Sequence, residues 1–136
     1  MEDLLEAMRD AVHDISDPVE RLERFARFHV NYHIEKPEHV FLAYMEPRSL
    51  DEDGRANVLP LRDTYESCLR KTLMKGQSLG LFHFDDAAVT ARAILAMLTG
   101  ITVWFRKDGP LDQATVVENY IQLTLQSVGV AYPQKR

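Results

Sequence analysis

The sequence predicts an all-α bundle of six helices, and three observations carry that prediction. Apolar residues recur at three- and four-residue spacing along nearly the whole chain, which is the period of one helix face. Gly and Pro are few, 6 of each in 136 residues, and they fall between the periodic stretches, where such breakers end helices. No stretch reads convincingly as a strand. Helices in that number, joined by short connections, bury their apolar stripes by packing on one another.

The first helix is expected over Glu2 to Ile15, with Leu4, Leu5, Met8, Ala11, Val12 and Ile15 on one stripe. Ser16-Asp17-Pro18 ends it and starts the next, Asp17 as N-cap and Pro18 at the first helical position. The second helix runs to about Glu35. Val19, Leu22, Phe25, Ala26, His29, Tyr32 and His33 face inward, while Glu20, Arg21, Glu23, Arg24 and Arg27 take the outer face. Pro37 begins a short third helix with Val40, Phe41, Leu42, Tyr44 and Met45, ended by Pro47. Ser49 to Asn57 is polar and reads as a loop. A long helix follows, carrying Val58, Leu61, Tyr65, Cys68, Leu69, Thr72 and Leu73. Pro60 either starts this helix or lies inside a longer one that began near Asp51. Gly76 and Gly80 close it. Asp85 is the expected cap of a fifth helix, Ala87 to Phe105, and Asp108-Gly109-Pro110 breaks it. Asp112 caps the last, which runs to about Val128 before Gly129 and Pro133.

A chain of this length fits one domain and needs no disulfide or metal staple. Its formal charge of −5 disfavours direct contact with nucleic acid, because an acidic surface repels phosphate. The single cysteine, Cys68, fits a reducing cytoplasm. Met1-Glu2-Asp3 lacks the basic and apolar regions of a signal peptide. Arg92 interrupts the most apolar stretch, leaving 13 uncharged residues from Ala93 to Phe105, where a membrane span needs about 20. The expectation is a cytoplasmic protein with no membrane contact.

The Ala87–Phe105 helix has almost no polar face. A helix apolar all round is buried on every side, either within its own bundle or against a second subunit. Ala93, Ala96 and Gly100 form a small-residue face that lets another helix approach closely. A Gly inside a helix costs about 1 kcal/mol relative to Ala, so Gly100 calls for a packing reason. Closed two-fold dimers are the commonest oligomers. The expected homodimer interface is Ala93, Ala96, Met97, Gly100, Ile101 and Trp104 with Val117, Tyr120, Ile121 and Thr124 of the last helix.

Other features have modest readings. His29 and His33 are four apart and could share a metal with His39 or Glu46, but no third ligand has motif spacing, so neither metal nor cofactor is expected. Arg70, Lys71 and Lys75 lie in the last turns of their helix, where cations complement the helix dipole; they could also hold phosphate. The phosphate loops and nucleophile elbows of enzymes are missing, and a lone cysteine in a helical stripe is more often core than nucleophile.

Three stretches carry a family resemblance: Gly80-Leu-Phe-His-Phe-Asp-Asp86, Ala91-Arg-Ala-Ile-Leu-Ala-Met97 and Thr102-Val-Trp-Phe-Arg-Lys-Asp-Gly-Pro-Leu-Asp112. They resemble the C-terminal regulatory region of TetR-family transcriptional regulators, especially those responding to acyl-CoA thioesters. Asp17-Pro18 and Phe28-His29-Val30-Asn31 are similar to the family's long pocket helix. The resemblance spans residues 1–136 as one effector-binding and dimerisation domain. The family's N-terminal helix-turn-helix has no counterpart among these residues, whether truncated, cleaved or never present.

The resemblance implies a mostly apolar effector pocket walled by Phe25, Phe28, His29, Tyr32, Tyr65, Cys68 and Leu69, with Arg70, Lys71 and Lys75 towards CoA phosphates. Residue by residue, plain core filling explains these side chains as well. It also implies that an apolar effector such as an acyl-CoA or fatty acid shifts the helices, and that the first helix relays the shift to a DNA-binding head. The alternative is a helical interaction module without a ligand.

Overall fold

The computed structural model describes residues 2–36 and 52–131. Six helical elements occur among them: α1 (Glu2–Val12), α2 (Pro18–Glu35), α3 (Glu52–Ser78), α4 (Ala87–Thr99), α5 (Ile101–Trp104) and α6 (Gln113–Ser127). No strand occurs among the described residues, and the all-α expectation holds. The short helix expected from Pro37 lies outside the described residues, with His39 and Glu46.

Local chemistry sets most of the boundaries. Asp17 accepts from Glu20 N at 2.9 Å, and Pro18 lacks its donor at a position where no acceptor awaits one. Asp112 accepts from Thr115 N at 3.2 Å. The cap of α4 is Asp86 rather than Asp85: its extended backbone (φ −135°, ψ 120°) aims the carboxylate at Val89 N, 2.9 Å away. α1 stops at Val12, three residues short of the expected end, because the Ile15 amide turns back onto the Val12 carbonyl at 3.1 Å. The proline-inside reading of α3 is the one observed, with residues 52–57 helical rather than looped.

Gly76 does not end α3. The helix runs on to Ser78, and Gly80 adopts a left-handed φ of 76° that lets the Leu81 and Phe82 amides fold back to the Gly76 carbonyl at 2.8 and 3.2 Å. A Cβ at position 76 would run into the buried Phe82 ring, so Gly76 is there for close approach.

The hub of the bundle is α2, which packs against α1, α3, α4, α5 and α6; α3 in turn packs on α1 and α4. Leu22, Phe25, Ala26, Val30 and Ile34 supply its apolar contact with a core that includes Met8, Tyr65, Leu69, Leu95, Leu98 and Ile121. The helix over Ala87 to Phe105, expected to be covered either by its own bundle or by a second subunit, takes a peripheral place in the protomer. It is nearly continuous across Gly100, whose backbone stays right-handed helical (φ −58°, ψ −18°). Its 18-residue stretch Ala87–Trp104 is long and apolar enough to cross a membrane by composition alone, and only a third of it is buried.

Candidate functional site

Three helices meet at a buried polar knot. His29 of α2 is fully buried; its Nδ1 lies 2.6 Å from the Tyr65 hydroxyl of α3 and its Nε2 lies 2.8 Å from the Thr99 hydroxyl of α4. A neutral imidazole donates at one nitrogen and accepts at the other, and both hydroxyls can take either part. One turn on, His33 Nδ1 donates to the His29 carbonyl at 2.8 Å. The two imidazole rings sit 4.2 Å apart between centroids. Burial holds His29 well below the ordinary histidine value of 6.5, and the neighbouring His33 opposes its charge further. Burial lowers His33 as well, against its carbonyl hydrogen bond. Burial also drives the Tyr65 hydroxyl well above 10, with Cys68 and Tyr32 adding to the shift. The knot is therefore neutral at pH 7.

Phe25 leans on this knot, 5.4 Å from the Tyr65 ring and 6.0 Å from His29. Phe25, His29, Tyr65 and Leu69 are thus brought together, all buried. Phe28 and Tyr32 pair with each other at 5.4 Å, half-buried, with the Lys36 ammonium 4.7 Å from the centre of the Tyr32 ring.

Beside this core a groove of about 600 Å³ opens between the α1–α2 turn and the second half of α3. Arg21, Lys71 and Lys75 line it together with Asp14. Its floor includes Cys68 and Thr72. A narrow seam, too tight to admit water, continues inward from Arg21, Cys68 and Thr72 to Met8, Val12 and Phe25. Groove and seam share three residues, so the seam adjoins the groove on the side of the aromatic core, with no open channel between them. Arg70 lines neither: it pairs with the buried Glu66 at 3.4 Å, which also meets Arg92 of α4 at 3.3 Å.

Sequence reasoning misses Arg21, Thr72 and Thr99. By spacing, Arg21 is one more outer-face cation. Its signal is position: a helical side chain leans towards the N-terminus, so a long cation in the first turn overlies the turn before it. Thr99 is hidden among apolar neighbours, and no local pattern distinguishes it.

The α4–α5 helix has two apolar stripes. Ala91, Ile94, Leu95, Leu98 and Ile101 face the core. On the outer side Val89 (61% exposed), Ala93, Ala96, half-buried Gly100 and Val103 (81%) follow at alternating four- and three-residue spacing. Trp104 and Leu123 are 47% and 48% exposed, and Trp104 Nε1 donates to the Tyr120 hydroxyl at 3.1 Å, joining this stripe to α6. Of the residues expected at an interface, Ala93, Ala96 and Trp104 are exposed and Met97, Gly100 and Tyr120 half-buried; Ile101, Val117, Ile121 and Thr124 are buried inside the protomer.

Residues 16–128 match the family model of the tetracyclin repressor-like, C-terminal domain. Among solved structures, the chain is similar to the TetR family transcriptional regulator PfmR from Thermus thermophilus. The two share 32% identity over 98% of this chain and 70% of that one, with a TM-score of 0.77. A tetR-family regulatory protein from Rhodococcus RHA1 shares 25% identity over 96% and 69% of the two chains, with a TM-score of 0.82. The same fold recurs at 23% identity in AibR in complex with isovaleryl coenzyme A and operator DNA (90% and 69% covered, TM-score 0.76). None of the curated proteins matches. A helical core with α2 at its hub, a match over residues 16–128 and a regulator at 32% identity agree: this chain belongs to the TetR family of transcriptional regulators, as its C-terminal regulatory domain.

Proposed function

We propose that this chain is the effector-sensing and dimerising domain of a TetR-type repressor, working in the cytoplasm on an apolar effector with an anionic head, such as an acyl-CoA. The observation that carries the reading is the adjacency of groove and seam, which share Arg21, Cys68 and Thr72. Lys71 and Lys75 suit a phosphorylated head, and Met8, Val12 and Phe25 suit an acyl tail. Apolar walls with a few polar groups are what a small-molecule site requires. The CoA thioester bound to AibR, a neighbour of the same fold, supports the same class.

The seam is narrower than an acyl chain, so a tail must part α1 from α3 to enter. Binding then favours a conformation with α1 displaced, and the effector acts only to the extent that it binds that state better. α1 would relay the displacement to a DNA-binding head, in a dimer formed through the outer stripe of α4–α5 and the exposed edge of α6.

Thermal unfolding with acyl-CoAs of increasing chain length, free CoA and fatty acids tests this. A ligand at a hundred times its Kd adds about 2.7 kcal/mol of stability, a rise in Tm of several degrees. Silence across the whole series overturns the effector reading in favour of a ligand-free interaction module.

A further inference from the structure

Arg21 does two things at once. It lines both the groove and the seam, and its guanidinium Nη1 donates to the Val12 carbonyl at 2.9 Å and the Ile15 carbonyl at 2.8 Å. Those carbonyls lie at the end of α1 and in the turn behind it, where helix geometry leaves acceptors without an intrahelical partner. A second cation of the groove does the same from the other side: Lys75 of α3 donates to the Ser16 carbonyl at 3.3 Å. The α1–α2 turn is thus strapped by two cations from two helices, and both belong to the wall of the groove.

We propose that Arg21, assisted by Lys75, is a latch that an anionic ligand opens: a phosphate or carboxylate in the groove draws these cations off the Val12, Ile15 and Ser16 carbonyls and frees the C-terminal end of α1. This rests on the proposed effector reading and adds to it the group through which binding reaches α1. A carbonyl is a neutral acceptor, whereas a phosphate or carboxylate adds the attraction of opposite charges and can take the guanidinium in a bidentate pair. The exchange is therefore favourable for an anion whose gain outweighs its loss of hydration, and it leaves the Ile15 carbonyl without this donor and the Val12 carbonyl with the Ile15 amide alone. Asp14, which also lines the groove, repels such an anion and favours the closed latch until a ligand outweighs it. Coupling of this kind is reciprocal: whatever loosens the turn must also strengthen anion binding.

Amide hydrogen exchange of the full chain, read by mass spectrometry over residues 10–18, tests the latch with two probes, isovaleryl-CoA and inorganic pyrophosphate. In wild type, either probe raises exchange over this segment several-fold and leaves the α3 segment around Leu69 unchanged. Arg21→Met, which keeps the aliphatic stem, shows the raised exchange without any probe and responds no further. Arg21→Lys keeps the charge but cannot span both carbonyls, so its basal exchange falls between the two; it carries the test if the Met variant does not fold. Exchange in the Arg21 variants equal to wild type, or wild-type exchange unmoved by both probes, overturns the latch. A response to pyrophosphate alone supports the latch while counting against the acyl-CoA reading.

Discussion

His29 occupies the point where α2, α3 and α4 touch, and its neutrality holds the three together. Folding removes the imidazole from water, so the unfolded chain binds a proton more readily than the folded one. Both His29 and His33 lie below 6.5 in the folded protein. The linkage sign follows: stability is complete above the unfolded value and falls as pH drops below about 6.5, because the unfolded state then takes up protons that the folded state refuses. Each histidine contributes a slope of at most about 1.4 kcal/mol per pH unit. Urea midpoints between pH 7.5 and 5.5 should decline steadily in wild type and less steeply in His33→Gln. A flat profile would mean that neither ring is buried as described. The pair is visible in the sequence as two histidines on an inward stripe, but its partners are not. Tyr65 and Thr99 lie 36 and 70 residues beyond His29, and contacts at such separation depend on how the helices cross rather than on local spacing.

At the scale of the element, Gly76 reverses the usual sign of a glycine substitution. Replacing Gly by Ala within a helix ordinarily gains about 1 kcal/mol. Here the added methyl would displace Phe82, which the turn after α3 packs against the helix. Gly76→Ala should therefore lose about 1–3 kcal/mol, the usual range for overpacking, measured by chemical denaturation. The sequence marks Gly76 as a helix end because Gly commonly is one; the reason it lies inside the last turn of α3 instead comes from Phe82, six residues on and folded back. Capping is the most legible feature, since an Asp side chain and the amide three residues later are fixed within one turn. Asp17 and Asp112 follow from that chemistry directly. Asp85-Asp86 offers two candidates one residue apart, and only the backbone angle at Asp86 decides between them.

For the whole molecule, the fold class is readable because six periodic stretches admit few arrangements, but the hub is not. The most apolar helix, expected to be covered by its own bundle or by a second subunit, is not the hub; the amphipathic α2 is. α2 gathers its neighbours on a wide arc running from Leu22 to Ile34, whereas α4–α5 divides its apolar residues between the core and an outer stripe. Composition cannot tell a helix surrounded by its own chain from one waiting for another chain. The outer stripe makes the dimer testable without disturbing the protomer. Light scattering at micromolar concentration should give twice the 15.6 kDa of one chain. Val103→Asp should bring the mass towards that of a single chain while costing the protomer less than about 0.5 kcal/mol, because position 103 touches little within it. A wild-type mass of one chain would remove the dimer from the proposal.

The hydrogen bond between Trp104 and Tyr120 has a practical corollary. The chain has one tryptophan, and it lies half in water on the stripe assigned to self-association. Indole fluorescence shifts to the blue when water is excluded, so dilution of the protein should redden its emission as subunits part. The molecule is built with an optical gauge of its own assembly, free of any label.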